Sequence, residues 1–203
     1  MSNKTINKEL IEKTIRFHGH WCPGLAVGIR ASEWALKEMG SARDEEIVAV
    51  VETDMCAVDA VQYLAGCTFG KGNLIHKDYG KNAFTFYRRK DGKAARLVAR
   101  PDIYGGAGVT LGKLHGKMLD KGLDQEEQKL WRETRTGISS QVMKSELIDL
   151  FEIKAPVDPV PKMARILSPM VCESCGETVM ETRTRHFGGR LLCIPCFDIR
   201  ERR

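Results

Sequence analysis

The chain has 203 residues, enough for one ordinary domain together with a small additional module. Hydrophobic residues make up 42% and charged residues 29% of the chain, which is typical of a soluble globular protein and argues against a disordered or collagen-like one. A formal net charge of +5 is too small to predict nucleic-acid binding by itself. The seven cysteines are an odd number, so a closed set of disulfides would leave one thiol over.

The cellular compartment decides how the cysteines are interpreted. No stretch approaches the ~20 apolar residues that span a bilayer. The segment Met1–Arg16 carries charges throughout and has no apolar core, so we expect no signal peptide. We therefore expect a cytoplasmic protein without a membrane segment, in which the cysteines stay reduced and serve packing, metal binding or chemistry.

The first part of the chain predicts helices around one buried strand. A short helix over Asn7–Arg16 is followed by a helix over Leu25–Met39, whose narrow polar stripe indicates that it is largely buried. The β-branched run 47–52 predicts a central strand. Asp54 is expected to cap a helix over Met55–Leu64.

The next part predicts a hairpin followed by further helix. Two strand-like stretches, Ala83–Arg88 and Ala95–Ala99, flank a turn and indicate a β-hairpin. The glycine-rich stretch 105–108 is interpreted as a flexible turn, and the chain from 124 to about 151 as helix interrupted at Gly137. Together these elements predict an α+β domain with a partly antiparallel sheet and packed helices.

A proline-rich segment predicts a domain boundary. Four of the seven prolines fall within residues 155–169, and proline restricts both its own backbone and that of the residue before it. We interpret this segment as a stiff linker. It separates a core domain over residues 1–160 from a small domain over residues 161–203, where the basic excess is concentrated.

The small domain contains two CxxC pairs separated by seventeen residues: Cys172, Cys175, Cys193 and Cys196. This spacing is typical of a structural zinc with four thiolate ligands. A hairpin with its bend at Gly188 and Gly189 would join the pairs in a treble-clef-like finger. Two disulfides are the competing interpretation, and zinc is preferred because the compartment is reducing and a metal explains how roughly 40 residues stay folded. We expect the finger to dock on a protein partner, and not to bind nucleic acid, because interleaved aromatic residues are missing.

The core carries a second group of metal-binding residue types. His18, His20 and Cys22 lie within five residues, on a loop just before a predicted helix N-terminus, where a thiol pKa is lowered. Cys56 begins the next predicted helix. If these two helix ends meet, Cys22, Cys56 and one of the two histidines would supply three ligands and leave an open position, as in a catalytic zinc site. Another transition metal would suit the same donors, and the turn at Gly19 leaves open which histidine points inward.

Two further residues are candidates for catalysis. A single helix from Cys56 to Cys67 would separate their sulfurs by about 16 Å, so Cys67 is treated as a nearby loop thiol, either a nucleophile or proton carrier or a small buried hydrophobe. Lys71 lies in the glycine-rich loop 66–73, which lacks the GxxxxGK[ST] pattern of a P-loop. We expect Lys71 to hold an anionic substrate at a pocket wall.

The sequence resembles the FmdE family, named after a component of formylmethanofuran dehydrogenase, over nearly its whole length. The resemblance rests on Phe17–Gly24, Glu52–Cys56 with Asp59, Gly66–Asn73 and the C-terminal cysteine pairs of the longer members. It implies an α+β core, a treble-clef-like zinc finger and an intertwined homodimer. It also implies a metal site made from the histidines and cysteines of the core motif, with Cys67 and Lys71 nearby.

Two functions remain open at this point. The first is a metal-dependent enzyme, or a component of an oxidoreductase complex, whose metal acts as a Lewis acid or activates a water or thiolate for an unidentified small-molecule substrate. The second is a non-catalytic accessory protein that handles metal or molybdenum cofactor, or a regulator that docks through its finger. A DNA-binding regulator is the third alternative. The pterin chemistry of the parent complex belongs to its other components.

Overall fold

The structure is a computed structural model that describes residues 6–202. The first five residues, part of the segment in which we expect no signal peptide, lie outside this range. The described chain divides into two compact units, with the division between Met163 and Ala164. No helix within the described range is both long and apolar enough to cross a membrane.

The first unit contains six helices within its described residues: α1 (Lys8–His18), α2 (Pro23–Glu38), α3 (Ala57–Ala65), α4 (Gly105–Asp120), α5 (Gln125–Lys144) and α6 (Leu147–Leu150). Its strands are β1 (Ile47–Val51), β2 (Leu74–His76), β3 (Ala83–Arg88), β4 (Ala94–Ala99) and β5 (Phe151–Lys154). They form one sheet in the order β2-β1-β3-β4-β5. Strand β1 pairs with β2 in parallel, and all the other pairs are antiparallel. The predicted α+β class with a partly antiparallel sheet is confirmed.

The two faces of this sheet differ in what covers them. One face packs against α2, α3 and α5 and presents Val51, Phe84, Phe86 and Leu97 to the main core. Because side chains alternate along a strand, the neighbouring residues point to the opposite face. That face has only a small apolar cluster around Val48, Val50 and Tyr87.

The linker lies against this opposite face. The Tyr87 hydroxyl donates a hydrogen bond to the Asp158 carbonyl at 3.0 Å, and Arg89 donates from Nη1 to the Pro161 carbonyl at 2.6 Å. The proline-rich segment is therefore attached to the first unit at two points as it leaves the sheet.

Helices α2 and α3 cross in direct backbone contact. A methyl group at Gly28 of α2 would lie 2.6 Å from the Cα of Ala57, closer than any real Cβ approaches a neighbouring atom. One turn earlier, a methyl group at Gly24 would lie 3.3 Å from the Cβ of Cys56. The absence of two side chains on α2 thus lets the N-termini of both helices come together.

Two predicted features of the helices are wrong. Helix α5 continues through Gly137, because one glycine in a 20-residue helix costs only about 1 kcal/mol and the Asp124–Glu127 capping box fixes its start. The helix ends instead at Ser145, whose backbone is extended. Asp54 does not cap α3, since Cys56 occupies the N-cap position without a side-chain capping bond.

The stretch 105–108 is the first turn of helix α4, and its interpretation as a flexible turn is also wrong. Gly108 lies against the side chain of Tyr104, where a methyl group would come within 2.8 Å of the tyrosine Cβ. These glycines therefore permit close packing at the start of a helix. Phe151 begins strand β5, so the chain changes to strand at the end of the predicted helical segment.

The second unit has the order of a treble-clef-like finger. Its elements are β6 (Pro169–Val171), β7 (Thr178–Met180), a 3-10 turn (Glu181–Arg183), β8 (Thr184–Phe187), β9 (Arg190–Cys193) and α7 (Ile194–Glu201). Strands β6 and β7 flank the first cysteine pair, and β8 and β9 form the hairpin that leads into α7. Gly188 and Gly189 have φ angles of 56° and 75°, which a tight hairpin turn requires. The hairpin begins at Thr184, later than predicted, because Thr178–Met180 pairs with β6.

The α2–α3 contact yields a stability prediction. Gly28→Ala should lower the free energy of unfolding by about 1–3 kcal/mol or more, because the new methyl group meets rigid backbone. Gly137→Ala makes the same chemical change in open space within α5 and should raise it by about 0.5–1 kcal/mol. Urea unfolding of both variants measures the difference, and a Gly28→Ala protein as stable as wild type would contradict the contact.

Candidate metal centres and the adjoining cavity

Four predicted ligands of the core converge in the structure. One donor atom from each of His18, His20, Cys22 and Cys56 lies within 4.8 Å of all the others. His18 is the last residue of α1, whereas Cys22 and Cys56 occupy the N-cap positions of α2 and α3. The sequence left open which histidine points inward, and the structure brings both into the cluster.

The loop between α1 and α2 is shaped by one glycine. Gly19 adopts a left-handed backbone with φ 94° and ends α1 by donating its N–H to the Ile15 carbonyl. The turn folds His20 back beside His18, with ring centroids 4.4 Å apart. Cys22 then accepts a hydrogen bond from the Leu25 N–H at 3.3 Å, so its sulfur is fixed at the start of α2.

The orientation of His18 is set by a carboxylate on α3. Its Nδ1 lies 2.7 Å from Oδ2 of Asp59, and Gln62 donates to the other carboxylate oxygen at 3.3 Å. The remaining nitrogen, Nε2, lies 3.9 Å from the Cys22 sulfur. A carboxylate that holds one ring nitrogen while the other faces a donor cluster is the usual outer-shell arrangement of metal-binding histidines.

The charges around the cluster favour a cation. Burial raises the pKa of Cys56, and the neighbouring Cys22 thiol raises it further. Partial desolvation, His18 and Arg135 together lower the pKa of His20 and keep its imidazole in the neutral form that binds metals. A bound cation would relieve the opposition between the two sulfurs.

Tyr104, at the N-cap of α4, is a neighbour that the sequence did not reveal. Burial raises its pKa to about 12, and negative charge on Cys22 and Cys56 opposes its ionisation as well. Nothing in its sequence context distinguished it, because the following glycines were interpreted as a turn. Its phenol therefore stays protonated beside the two sulfurs.

A cavity of about 530 Å³ adjoins the core cluster. His18, Cys56 and Asp59 contribute to both the cluster and the cavity wall. Asp54 and His76 are the other ionisable residues that line it, and the remaining wall is mostly apolar. Among the described residues that line this cavity there is no lysine or arginine.

Cys67 and Lys71, the residues predicted to be catalytic, lie outside both the cluster and the cavity wall. Cys67 is buried in the main core, where its thiol donates to the Ile47 carbonyl at 3.6 Å and burial raises its pKa to about 12. The Lys71 ammonium donates to the Gly66 carbonyl at 2.6 Å and to two further backbone carbonyls at 3.3 Å. These contacts give both residues structural partners within the glycine-rich loop and its surroundings.

The four cysteines of the second unit also form a cluster, with their sulfurs within 4.8 Å of one another. The N–H of Cys193 donates to the Cys172 sulfur at 3.3 Å. Backbone N–H groups of Cys175 and Cys193 lower the pKa of Cys172 to about 6, which favours the thiolate that zinc binds. All seven cysteines of the chain are free, as the zinc interpretation requires.

Two family models match the chain. The model FmdE, described as molybdenum formylmethanofuran dehydrogenase operon, matches residues 17–152. A model of the prokaryotic dksA/traR C4-type zinc finger matches residues 167–202. The cysteine cluster and this match together indicate a structural metal, zinc, in the finger.

Two individual proteins are similar over most of the chain. A curated relative from Archaeoglobus fulgidus, named a probable S-adenosyl-L-methionine-binding protein, is 32% identical over 199 residues, which cover 92% of this chain. The match spans about half, 52%, of that relative's length. The crystal structure of an FmdE-like protein of tungsten formylmethanofuran dehydrogenase, from Syntrophus aciditrophicus, has a TM-score of 0.60 at 23% identity. This match covers 97% of this chain and 94% of the other, and it shows that the two share a fold.

Proposed function

We propose that this chain, which belongs to the FmdE family, carries a transition-metal centre in its core in addition to the structural zinc of its finger. The observation that carries the proposal is the convergence of four donor atoms from His18, His20, Cys22 and Cys56 within 4.8 Å. These residues come from three separate positions on the fold, so local chain geometry alone does not explain their meeting.

The donor set fits zinc. Two imidazoles and two sulfurs are ligands that this borderline-soft ion binds in a tetrahedron. Asp59 would hold His18 in the ligating orientation, and the Cys22 position at a helix N-terminus favours a thiolate. Zinc in such a site supplies Lewis acidity to a bound molecule.

The adjoining cavity supports an enzymatic role with a small-molecule substrate. It brings a bound molecule next to His18 and Cys56, within a mostly apolar wall that would exclude water. Asp54 and His76 are its ionisable groups outside the cluster and are the candidates for proton exchange with a ligand. Cys67 and Lys71 are not part of this proposal, because their hydrogen-bond partners and position keep them away from the cavity.

A non-catalytic role has its own supporting observation. If both histidines ligate, four protein donors complete a tetrahedral shell and leave no open position for chemistry. The core would then be a metal-handling, molybdenum-cofactor-handling or regulatory module. Exposed apolar residues on the finger, among them Val171 and Met180, would support docking on a protein partner.

Metal content tests the core centre. Wild-type protein should contain close to two zinc ions per chain, and the Cys22→Ser, Cys56→Ser double variant should retain only the one in the finger. Cys67→Ala is the matched control, since it removes the third core cysteine without touching the cluster, and should retain both ions. Elemental analysis with circular dichroism as a folding check measures this. One ion per chain in all three proteins would refute the core site.

A second candidate function is S-adenosyl-L-methionine binding, the property in the name of the Archaeoglobus relative. The observation that favours it is the charge of the cavity wall, which carries the carboxylates of Asp54 and Asp59 and, among the described lining residues, no cationic lysine or arginine. Such a wall attracts a sulfonium cation and repels anionic substrates.

Calorimetric titration separates the charge effect from simple shape complementarity. S-adenosyl-L-methionine should bind more tightly than S-adenosyl-L-homocysteine, which lacks the methyl group and the positive charge. Asp54→Asn should weaken the sulfonium ligand by several-fold, up to about tenfold, and leave the neutral thioether nearly unchanged. Glu152→Gln, on the far edge strand β5, makes the same charge change away from the cavity. Equal affinities for both ligands would contradict this candidate.

We also propose that a second copy of the chain covers the α4–α5 hairpin. Of the described residues of α4, only Leu114 is buried, whereas Val109 and Leu119 are 62% and 74% exposed. Leu130 of α5 adds to this apolar surface. An exposed apolar surface on a soluble fold marks an interaction site, and the family resemblance implies a homodimer.

Sedimentation tests the homodimer. Wild-type protein should sediment as a dimer at micromolar concentration, and the Val109→Glu, Leu119→Glu double variant as a folded monomer, because two carboxylates would be buried without partners. Ile148→Glu on α6 is the control, since Ile148 is equally exposed at 62% but lies outside the hairpin. A wild-type monomer, or a double variant that remains dimeric, would contradict the assignment.

A further inference from the structure

A second cavity of about 350 Å³ lies on the opposite face of the sheet from the core cluster. It is bounded by side chains of β1, β3 and β4, by Lys77 just after β2, and by the linker residues Val157 and Asp158. The strands supply only side chains that alternate away from the main core, such as Thr85 and Arg96. This cavity is therefore separate from the one beside the metal ligands.

Three cationic side chains line this second cavity: Lys77, Lys81 and Arg96. Arg96 is already engaged, because its Nε and Nη2 donate to the two carboxylate oxygens of Glu52 at 2.6 and 2.8 Å. Lys77 pairs with the Asp158 carboxylate of the linker. Lys81 has no carboxylate partner among the described residues, and its ammonium lies 5.9 Å from the ring centroid of Tyr79.

Uncharged donors complete the lining. Thr85 is only 4% exposed and faces this cavity, and its hydroxyl makes no hydrogen bond to any described residue. The Tyr87 hydroxyl donates to the Asp158 carbonyl at 3.0 Å, so it holds the linker by its backbone and leaves the Asp158 side chain free to move. Donors and positive charge thus exceed acceptors in an enclosed space, which is the condition for binding an anion.

We propose that this cavity is a binding site for a small ligand that bears a phosphate or carboxylate group. The anionic group would lie between Lys77 and Lys81, within reach of the Thr85 hydroxyl. Asp158 is the internal competitor, because its carboxylate now occupies the Lys77 ammonium that the ligand would use. When a ligand binds, the Asp158 side chain leaves Lys77, while the bond from Tyr87 keeps the linker backbone in place.

Charge distinguishes this cavity from the one beside the metal ligands. With the Asp158 carboxylate displaced, its lining carries three cations against the single carboxylate of Glu52. The first cavity has two carboxylates and, among its described lining residues, no lysine or arginine. A ligand of a given charge should therefore choose between the two faces of the sheet.

Titration of inorganic phosphate and of succinate, at fixed ionic strength set with chloride, tests the site by calorimetry. Lys81→Ala should weaken binding about tenfold or more, because one charged hydrogen bond is lost, and Asp158→Asn should strengthen it by a similar factor, because the competitor is neutralised. Tighter binding of phosphate assigns a phosphate ligand, and tighter binding of succinate assigns a carboxylate.

Matched controls separate a specific site from general surface charge. Lys90→Ala removes an exposed lysine from the β3–β4 turn, and Asp149→Asn neutralises an exposed carboxylate on α6. Both should bind the anion as wild type does. The proposal is overturned if Lys90→Ala weakens binding as much as Lys81→Ala, if Asp158→Asn does not strengthen it, or if neither wild type nor Asp158→Asn binds either anion.

Discussion

The close crossing of α2 and α3 is the contact on which the core site depends. Gly28 brings the backbone of α2 against Ala57, and both helices begin next to this crossing. Each N-cap position is a cysteine, so the crossing delivers the Cys22 and Cys56 sulfurs to one place. A larger residue at Gly28 would push the helices apart and separate the sulfurs, which links the packing of the core directly to the chemistry of its site.

The convergence has an electrostatic cost that only a ligand removes. Two sulfurs lie together, the pKa of Cys56 is raised by its partner, and two imidazole rings have their centroids 4.4 Å apart. Such a group of like donors lowers the stability of a fold unless a cation binds between them. The carboxylate of Asp59 shows the same design from outside the cluster, since it fixes the ring of His18 through the nitrogen that faces away from the sulfurs.

The sequence predicts features well when the relevant residues are close along the chain. The finger could be predicted from its two CxxC pairs, because a tight turn brings each pair together wherever it occurs. The hairpin β3–β4 and the loop after Gly66 likewise follow from local turn chemistry. The meeting of Cys22 and Cys56 was predicted by a weaker argument, that two helix N-termini meet, and the contact at Gly28 that produces it has no local signal.

The errors come from features that tertiary packing decides. Glycines at 105–108 suggested a turn, but they form the start of a helix where Gly108 packs on Tyr104. Strand β2 has three residues and no alternating pattern, so only its pairing with β1 defines it. Lys71 was expected at a pocket wall because it is a cation in a glycine-rich loop. Its ammonium instead closes that loop through backbone carbonyls, a use that depends on residues 43 and 44 far away in the sequence.

The fate of Lys71 also explains how one sheet can separate two kinds of charge. With that lysine held by carbonyls, the cavity beside the core cluster keeps its carboxylates uncompensated by any described lysine or arginine in its wall. Neighbouring residues on the strands then alternate between faces: Val51 and His76 line this cavity, whereas Glu52 and Lys77 line the other. A shift of either strand by one residue would exchange the two sets and mix their charges. The register that builds the core therefore also determines which charge each cavity accepts.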